Sequence, residues 1–265
     1  MANGPFNGED ENMDDPEFSS WFTRELSSLS GVQAVALGGS RAAGANAPDS
    51  DWDYAVYYRG TFDPENLRAK GWQGEVSEIG DWGGGVMNGG AWLTIGSRRV
   101  DVMYRDLDEV EHWCAEARAG RFEKGLLRFY VAGIPSYVLM AELATNLVLF
   151  GDLPVPTYPA ALAEEASRRW QADALASLTY GEAALRRRGD PTVGLANASR
   201  GLIEAAHARM ARRREWVLNE KGLVRRAGLA DEADLLVSAT DTEALLGAID
   251  AIRDAISREV PDGER

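Results

Sequence analysis

At 265 residues, with 45% hydrophobic and 26% charged side chains, the chain is long enough for one large or two smaller domains and has an ordinary globular composition. Its formal net charge of −14 argues against a long nucleic-acid partner, because phosphate backbones need a basic surface. No apolar run approaches the roughly 20 residues that span a bilayer, residues 1–18 lack a secretory pattern, and the single cysteine, Cys114, excludes an internal disulfide or a thiolate metal cluster. A cytoplasmic protein with no membrane contact is expected.

Residues 1–15 are acidic and rich in Gly and Asn, so a disordered tail is expected there. Pro16 then starts a helix that carries Phe18, Trp21, Phe22 and Leu26 on one face. The short apolar run Val32, Ala34, Val35, Ala36 and Leu37, ended by Gly38 and Gly39, reads as a buried strand. The two glycines permit close backbone approach, Ser40 offers a hydroxyl, and the turn through Arg41 points N–H groups outward, which suits phosphate oxygens. Gly38, Gly39, Ser40 and Arg41 are therefore the candidate nucleotide-binding residues. A second strand follows at Trp52 to Tyr58. Alternation places Asp51, Asp53 and Ala55 on one face and Trp52, Tyr54 and Val56 on the other. Two carboxylates crowded together repel unless a cation lies between them, and hard oxygen ligands point to magnesium.

Pro64 to Lys70 suggests a short helix. The glycine-rich stretch Gly80 to Gly90, around Trp82, reads as a lid or a long surface loop. Trp92 to Ile95 and Arg99 to Tyr104, separated by Gly96 and Ser97, form a hairpin pattern. Its second strand turns Val100, Val102 and Tyr104 to the core and Arg99, Asp101 and Met103 outward. Asp101 is then a third carboxylate, as expected where two metal ions roughly 4 Å apart assist phosphoryl transfer.

Gly39 with Ser40, Asp51-x-Asp53 and the later strand aspartate Asp101 together resemble the signature of the polymerase-beta-type nucleotidyltransferase superfamily. The subgroup most similar is the small bacterial nucleotidyltransferases, including the kanamycin and lincosamide antibiotic-adenylylating enzymes. The resemblance covers about residues 20 to 105, and the remainder only in layout. It implies an α/β (α+β) architecture, a mixed-sheet nucleotidyltransferase fold followed by a C-terminal helical bundle. It also implies two Mg2+ ions, with Asp51 and Asp53 binding both and Asp101 binding the catalytic one, and nucleotide phosphates held by Ser40 and its neighbouring amides.

From Asp106 the apolar spacing becomes helical, through Leu107, Val110, Trp113, Cys114 and Ala117. Cys114 reads as a core residue and His112 lies off the stripe; with His207 the only other histidine, no zinc cluster or nucleophilic triad is expected. Ser136 to Phe150 reads as a second, strongly apolar helix. Its Glu142, by its position in the resembling antibiotic-modifying enzymes, is the candidate general base for the acceptor hydroxyl. Gly151, Pro154, Pro156 and Pro159 mark a boundary, giving a catalytic domain over 16–150 and a helical domain over 151–265. In the latter, Leu162, Ala166, Trp170, Ala174 and Leu178 define a long helix ending near Gly189, Leu195 to Met210 a second, and Leu245, Ile249, Ile252 and Ile256 a third. The arginine runs 186–188 and 212–214 read as solvated helix ends. Lys221, in the segment EWVLNEKGLV, is a candidate phosphate clamp.

The expected activity is Mg-dependent transfer of a nucleoside monophosphate, with ATP expected as donor, to a hydroxyl of a small aminoglycoside-like or lincosamide-like acceptor. The partners expected are a nucleoside triphosphate and that acceptor, with no nucleic acid, on a monomer or homodimer. The alternatives are an antitoxin that binds or AMPylates a helical ribonuclease toxin, and a non-catalytic nucleotide sensor.

Overall fold

The computed structural model describes residues 13–45, 47 and 49–258. The tail expected over residues 1–15 lies mostly outside them. Its last two residues are structural: Asp14 caps α1 (Asp15–Ser27) in a capping box with Glu17, so the helix begins one residue before Pro16. The chain then runs through β1 (Val32–Leu37), the short α2 (Gly39–Ala42), β2 (Trp52–Tyr58), α3 (Glu65–Arg68), β3 (Gln73–Val76), β4 (Gly90–Ile95) and β5 (Arg98–Asp106). After these come α4 (Leu107–Arg118), a two-stranded ribbon of β6 (Lys124–Gly125) and β7 (Ile134–Pro135), α5 (Val138–Thr145) and β8 (Leu147–Phe150).

Among the described residues, six strands form one sheet in the order β3-β4-β5-β2-β1-β8. Only β2 and β5 pair in parallel among the described residues, so the sheet is mixed. Alternation gives it two chemically different faces. On one face, Val35, Trp52, Tyr54, Val56, Val100, Val102 and Tyr104 bury themselves against Phe18, Phe22 and Leu26 of α1. Phe22 meets Tyr54 edge-on at 4.9 Å, and Phe18 meets Trp52 edge-on at 5.0 Å. The opposite face carries Asp53, Asp101 and Met103.

The helix expected over Ser136 to Phe150 requires correction. It stops at Thr145, whose hydroxyl donates back to the Ala141 carbonyl, and Leu147–Phe150 is instead β8, the strand that closes the free edge of β1. Four apolar residues with a sheet edge to complete gain more from ladder hydrogen bonds than from one further helical turn. Gly151 ends the strand with φ +76°, where an added Cβ would lie 2.2 Å from the Gln33 carbonyl oxygen.

The chain divides into two compact units, residues 1–115 with 139–157 and residues 116–138 with 158–265. The passages between them fall inside α4, at the start of α5 and in the proline-rich connection. The second unit is helical: α6 (Ala160–Ala183), continued by a π turn over Ala184–Arg188, α7 (Pro191–Arg212), α8 (Leu223–Arg226), α9 (Ala230–Ser238) and α10 (Thr242–Ser257). Leu162, Ala166, Trp170, Ala174 and Leu178 are all buried, and α6 ends through left-handed Gly189. α6 and α7 approach closely because small residues face large ones; an added Cβ would lie 2.8 Å from Leu178 at Gly201 and 2.5 Å from Leu185 at Gly194. Among the described residues, no helix is long and apolar enough to cross a membrane.

Candidate active site

The parallel register of β2 with β5 sets Asp53 directly against Asp101, with both side chains on the less apolar face of the sheet. β1 ends beside them, where the Gly38 N–H donates to the Asp53 carbonyl oxygen at 2.6 Å. Gly39 then turns with φ +63°, and a Cβ there would lie 1.9 Å from Asp53 Oδ2. Only glycine lets the turn lie this close to the carboxylate. Gly39 opens α2, whose hydrogen bonds run from Ala42 to Gly38 and from Ala43 to Gly39. As in any helical first turn, the Gly39, Ser40 and Arg41 amides are left unused by that ladder, beside Asp53.

Arg41 is committed elsewhere: its guanidinium donates to the Ser50 carbonyl and to Asp15, and lies 4.0 Å over the Trp52 ring. It fastens the loop that leads into β2. Asp51 stands one residue before β2, next to Arg99 when the strand register is continued, and Arg99 Nε reaches Asp51 Oδ1 at 2.5 Å. Among the described residues, no group of three or more His, Cys, Asp or Glu side chains gathers as a metal centre. The structure therefore brings Asp53 and Asp101 together and turns Asp51 toward a guanidinium. These residues fit a hard divalent cation through their carboxylate chemistry, and Gly39, having no Cβ, lets the turn lie directly against the Asp53 carboxylate.

Glu142 is partly buried on α5, as read from the sequence, but both of its oxygens accept from the buried Arg105 guanidinium, at 2.6 Å each. Burial, with the Glu142 charge beside it, pushes the Tyr57 phenol well above its ordinary value. Asn146 closes this group against the end of β1, where a Cβ on Gly38 would meet Asn146 Oδ1 at 3.0 Å. Lys221 belongs to the second unit, where it is exposed and its N–H donates to the Asn219 side chain. Arg105, Asn146 and the pairing of Arg99 with Asp51 were not foreseen from the sequence. Arg99 shares an alternation face with Asp101, and that pattern was the available signal.

The second unit has its own cavity of about 410 Å³, lined by Lys124, Arg169, Asp173, Arg200 and Glu204 among others. Its charges largely answer one another: Lys124 pairs with Asp173 and Arg200 with Glu204. Burial lowers Lys124 to about 8.

Residues 19–82 match the family model for the nucleotidyltransferase domain. No curated protein matches the chain. Among solved structures, a nucleotidyltransferase-like protein from Exiguobacterium sibiricum is similar over 89% of this chain and 75% of its own, with 11% identity and a TM-score of 0.44. The matched segment contains β1, the Gly39 turn and Asp53, so the chain carries a nucleotidyltransferase domain followed by a helical C-terminal region, and the general chemistry this supports is nucleotidyl transfer.

Proposed function

We propose that the protein moves a nucleoside monophosphate from a nucleoside triphosphate, ATP being the expected donor, to a hydroxyl of a small acceptor. The observation that carries this reading is the alignment of the Gly39 turn, Asp53 and Asp101 side by side across three neighbouring strands. The amides of Gly39, Ser40 and Arg41 hold the terminal phosphates. Asp53 and Asp101, joined by Asp51 once Arg99 releases it, would hold magnesium, which would offset phosphate charge and polarise the phosphoryl group. The acceptor oxygen forms a bond to the α phosphorus, the bond to the β-phosphate oxygen breaks, and pyrophosphate leaves with that electron pair. The hydroxyl proton passes to the Asp101 carboxylate, the one nearest the entering acceptor. Glu142, bound at both oxygens by Arg105, is given the work of anchoring that arginine and with it β5. The net charge of −14 supports an acceptor of cationic character, such as an aminoglycoside-like or lincosamide-like ring compound.

The test is pyrophosphate release from each nucleoside triphosphate with magnesium across aminoglycosides, lincosamides and free sugars. Asp53→Asn is expected to lower turnover by about 10²-fold or more, as loss of a charge that stabilises the transition state does, while the melting transition stays in place. Near wild-type turnover in that variant would remove Asp53 from the reacting centre.

A further inference from the structure

The row that places the carboxylates does not end at Asp101. Asp101 is the register partner of Trp92 on β4, and Trp92 is the register partner of Glu75 on β3. Side chains directly opposite in a ladder share a face, so the Gly39 turn, Asp53, Asp101, Trp92 and Glu75 stand in one line across five strands, about 4.8 Å apart. Trp92 is 44% exposed although it lies within a strand of a six-stranded sheet. Trp82, from the glycine-rich loop, stacks on it with ring centroids 4.8 Å apart and planes inclined by 22°. Gly90 makes room for this arrangement, since an added Cβ there would lie 2.6 Å from Trp82 Cη2. Two stacked indoles thus form a half-exposed apolar slab beside the carboxylates, on the side away from the Gly39 turn.

In-line transfer decides what belongs on that surface. The attacking oxygen enters opposite the leaving pyrophosphate. With the terminal phosphates at the Gly39 end of the row, the acceptor must approach from the Asp101 and Trp92 end. We propose that Trp92 and Trp82 form the acceptor platform and that the acceptor is a ring compound, a sugar or an aromatic, which lays one flat face on the indoles and presents a hydroxyl toward Asp101. The inference rests on the nucleotidyl-transfer reading above and adds the acceptor's seat. Glu75, exposed and next in the row, matches an amino substituent on that ring.

The experiment titrates the full-length protein, saturated with magnesium and a non-hydrolysable ATP analogue, against kanamycin, lincomycin, phenyl β-D-glucoside and the acyclic polyol sorbitol. Binding is read by calorimetry, and affinity for the analogue is measured separately. At least one ring compound binds and sorbitol does not. Trp92→Ala weakens the ring compound roughly tenfold or more, as truncating a buried aromatic anchor does. Trp92→Phe restores most of that affinity, and Trp82→Ala weakens it to a smaller degree. Glu75→Gln weakens an amino-bearing ring and leaves phenyl β-D-glucoside unchanged. Ring affinity unchanged in Trp92→Ala, equal binding of sorbitol, or no ring compound bound while the ATP analogue binds normally would each overturn the platform. Failure of the wild type to bind the analogue would instead overturn the transfer reading on which the platform rests.

Discussion

Gly39 meets two constraints at once: a left-handed backbone, and a neighbouring carboxylate oxygen in the space where a side chain would begin. Gly39→Ala is expected to lose about 1–2 kcal/mol of stability from the backbone alone. Because Asp53 must also shift by about an ångström, transfer should fall by about 10²-fold. Urea unfolding and pyrophosphate release measure the two losses separately, and a stability loss without a rate loss would show that the Gly39 contact serves folding only. Arg99 makes the opposite kind of prediction. It is 67% exposed and Asp51 44%, so their ion pair is worth at most about 1 kcal/mol. Replacing it in Arg99→Met frees Asp51 and should tighten Mn2+ binding by up to about fivefold, read as free Mn2+ by electron paramagnetic resonance. Weaker binding in that variant would mean that Arg99 supports the cation site rather than competing for Asp51.

In α7, His207 is buried against Trp170, with ring centroids 4.3 Å apart, and neither of its nitrogens has a hydrogen-bond partner among the described residues. Burial, reinforced by the Lys124 charge, lowers its pKa to about 3 from the ordinary 6.5. The unfolded chain therefore binds a proton below pH 6.5 that the folded helix refuses. The stability this residue permits is complete above about 6.5 and drains as pH falls toward 3, by up to about 1.4 kcal/mol per pH unit. His207→Phe keeps the stacked ring, removes two unsatisfied polar atoms, and should be more stable by about 1–2 kcal/mol at neutral pH, with a wider margin near pH 4.5. Urea midpoints of both proteins at the two pH values decide it; equal slopes would show that His207 is solvated. The strands β2, β4 and β5 and the long helices α6, α7 and α10 were legible in the sequence because each repeats its apolar residues at the period of the element it forms, and β1 because two glycines cut its apolar run to strand length. The carboxylates were legible for the same reason, since alternation alone sets Asp53 and Asp101 outward. β8 was not legible, because a short apolar run carries no period of its own and its state is decided by an edge of β1 more than a hundred residues earlier. The engagement of Asp51 with Arg99 and of Glu142 with Arg105 was equally hidden, since partners across strands and helices depend on register. The Trp92 platform depended on Gly90 and on a loop whose path composition does not specify.

At the scale of the whole chain, the proline-rich connection is only one of three passages between the units. Residues 116–138 belong with the later helices: Tyr137 accepts from Trp170 Nε1 at 2.9 Å, and the Phe122 carbonyl accepts from Arg169 at 2.6 Å. A fragment ending at residue 150 therefore strands a segment whose partners lie beyond the cut. It is expected to be aggregation-prone, with poor dispersion in its amide NMR spectrum; a well-dispersed, cooperatively melting fragment would show that residues 116–138 need no later helix. The same chain path governs synthesis on the ribosome. β1 is translated early, but the strand that covers its outer edge, β8, follows about 110 residues later. At roughly 5–20 residues per second, the nascent sheet exposes that edge for roughly 5–20 s. During that interval its unpaired amides and carbonyls are open to any other extended chain. The moment of greatest danger for this protein is therefore set by the order in which its strands are made, and slowing translation between β1 and β8 would lengthen it without changing the finished fold.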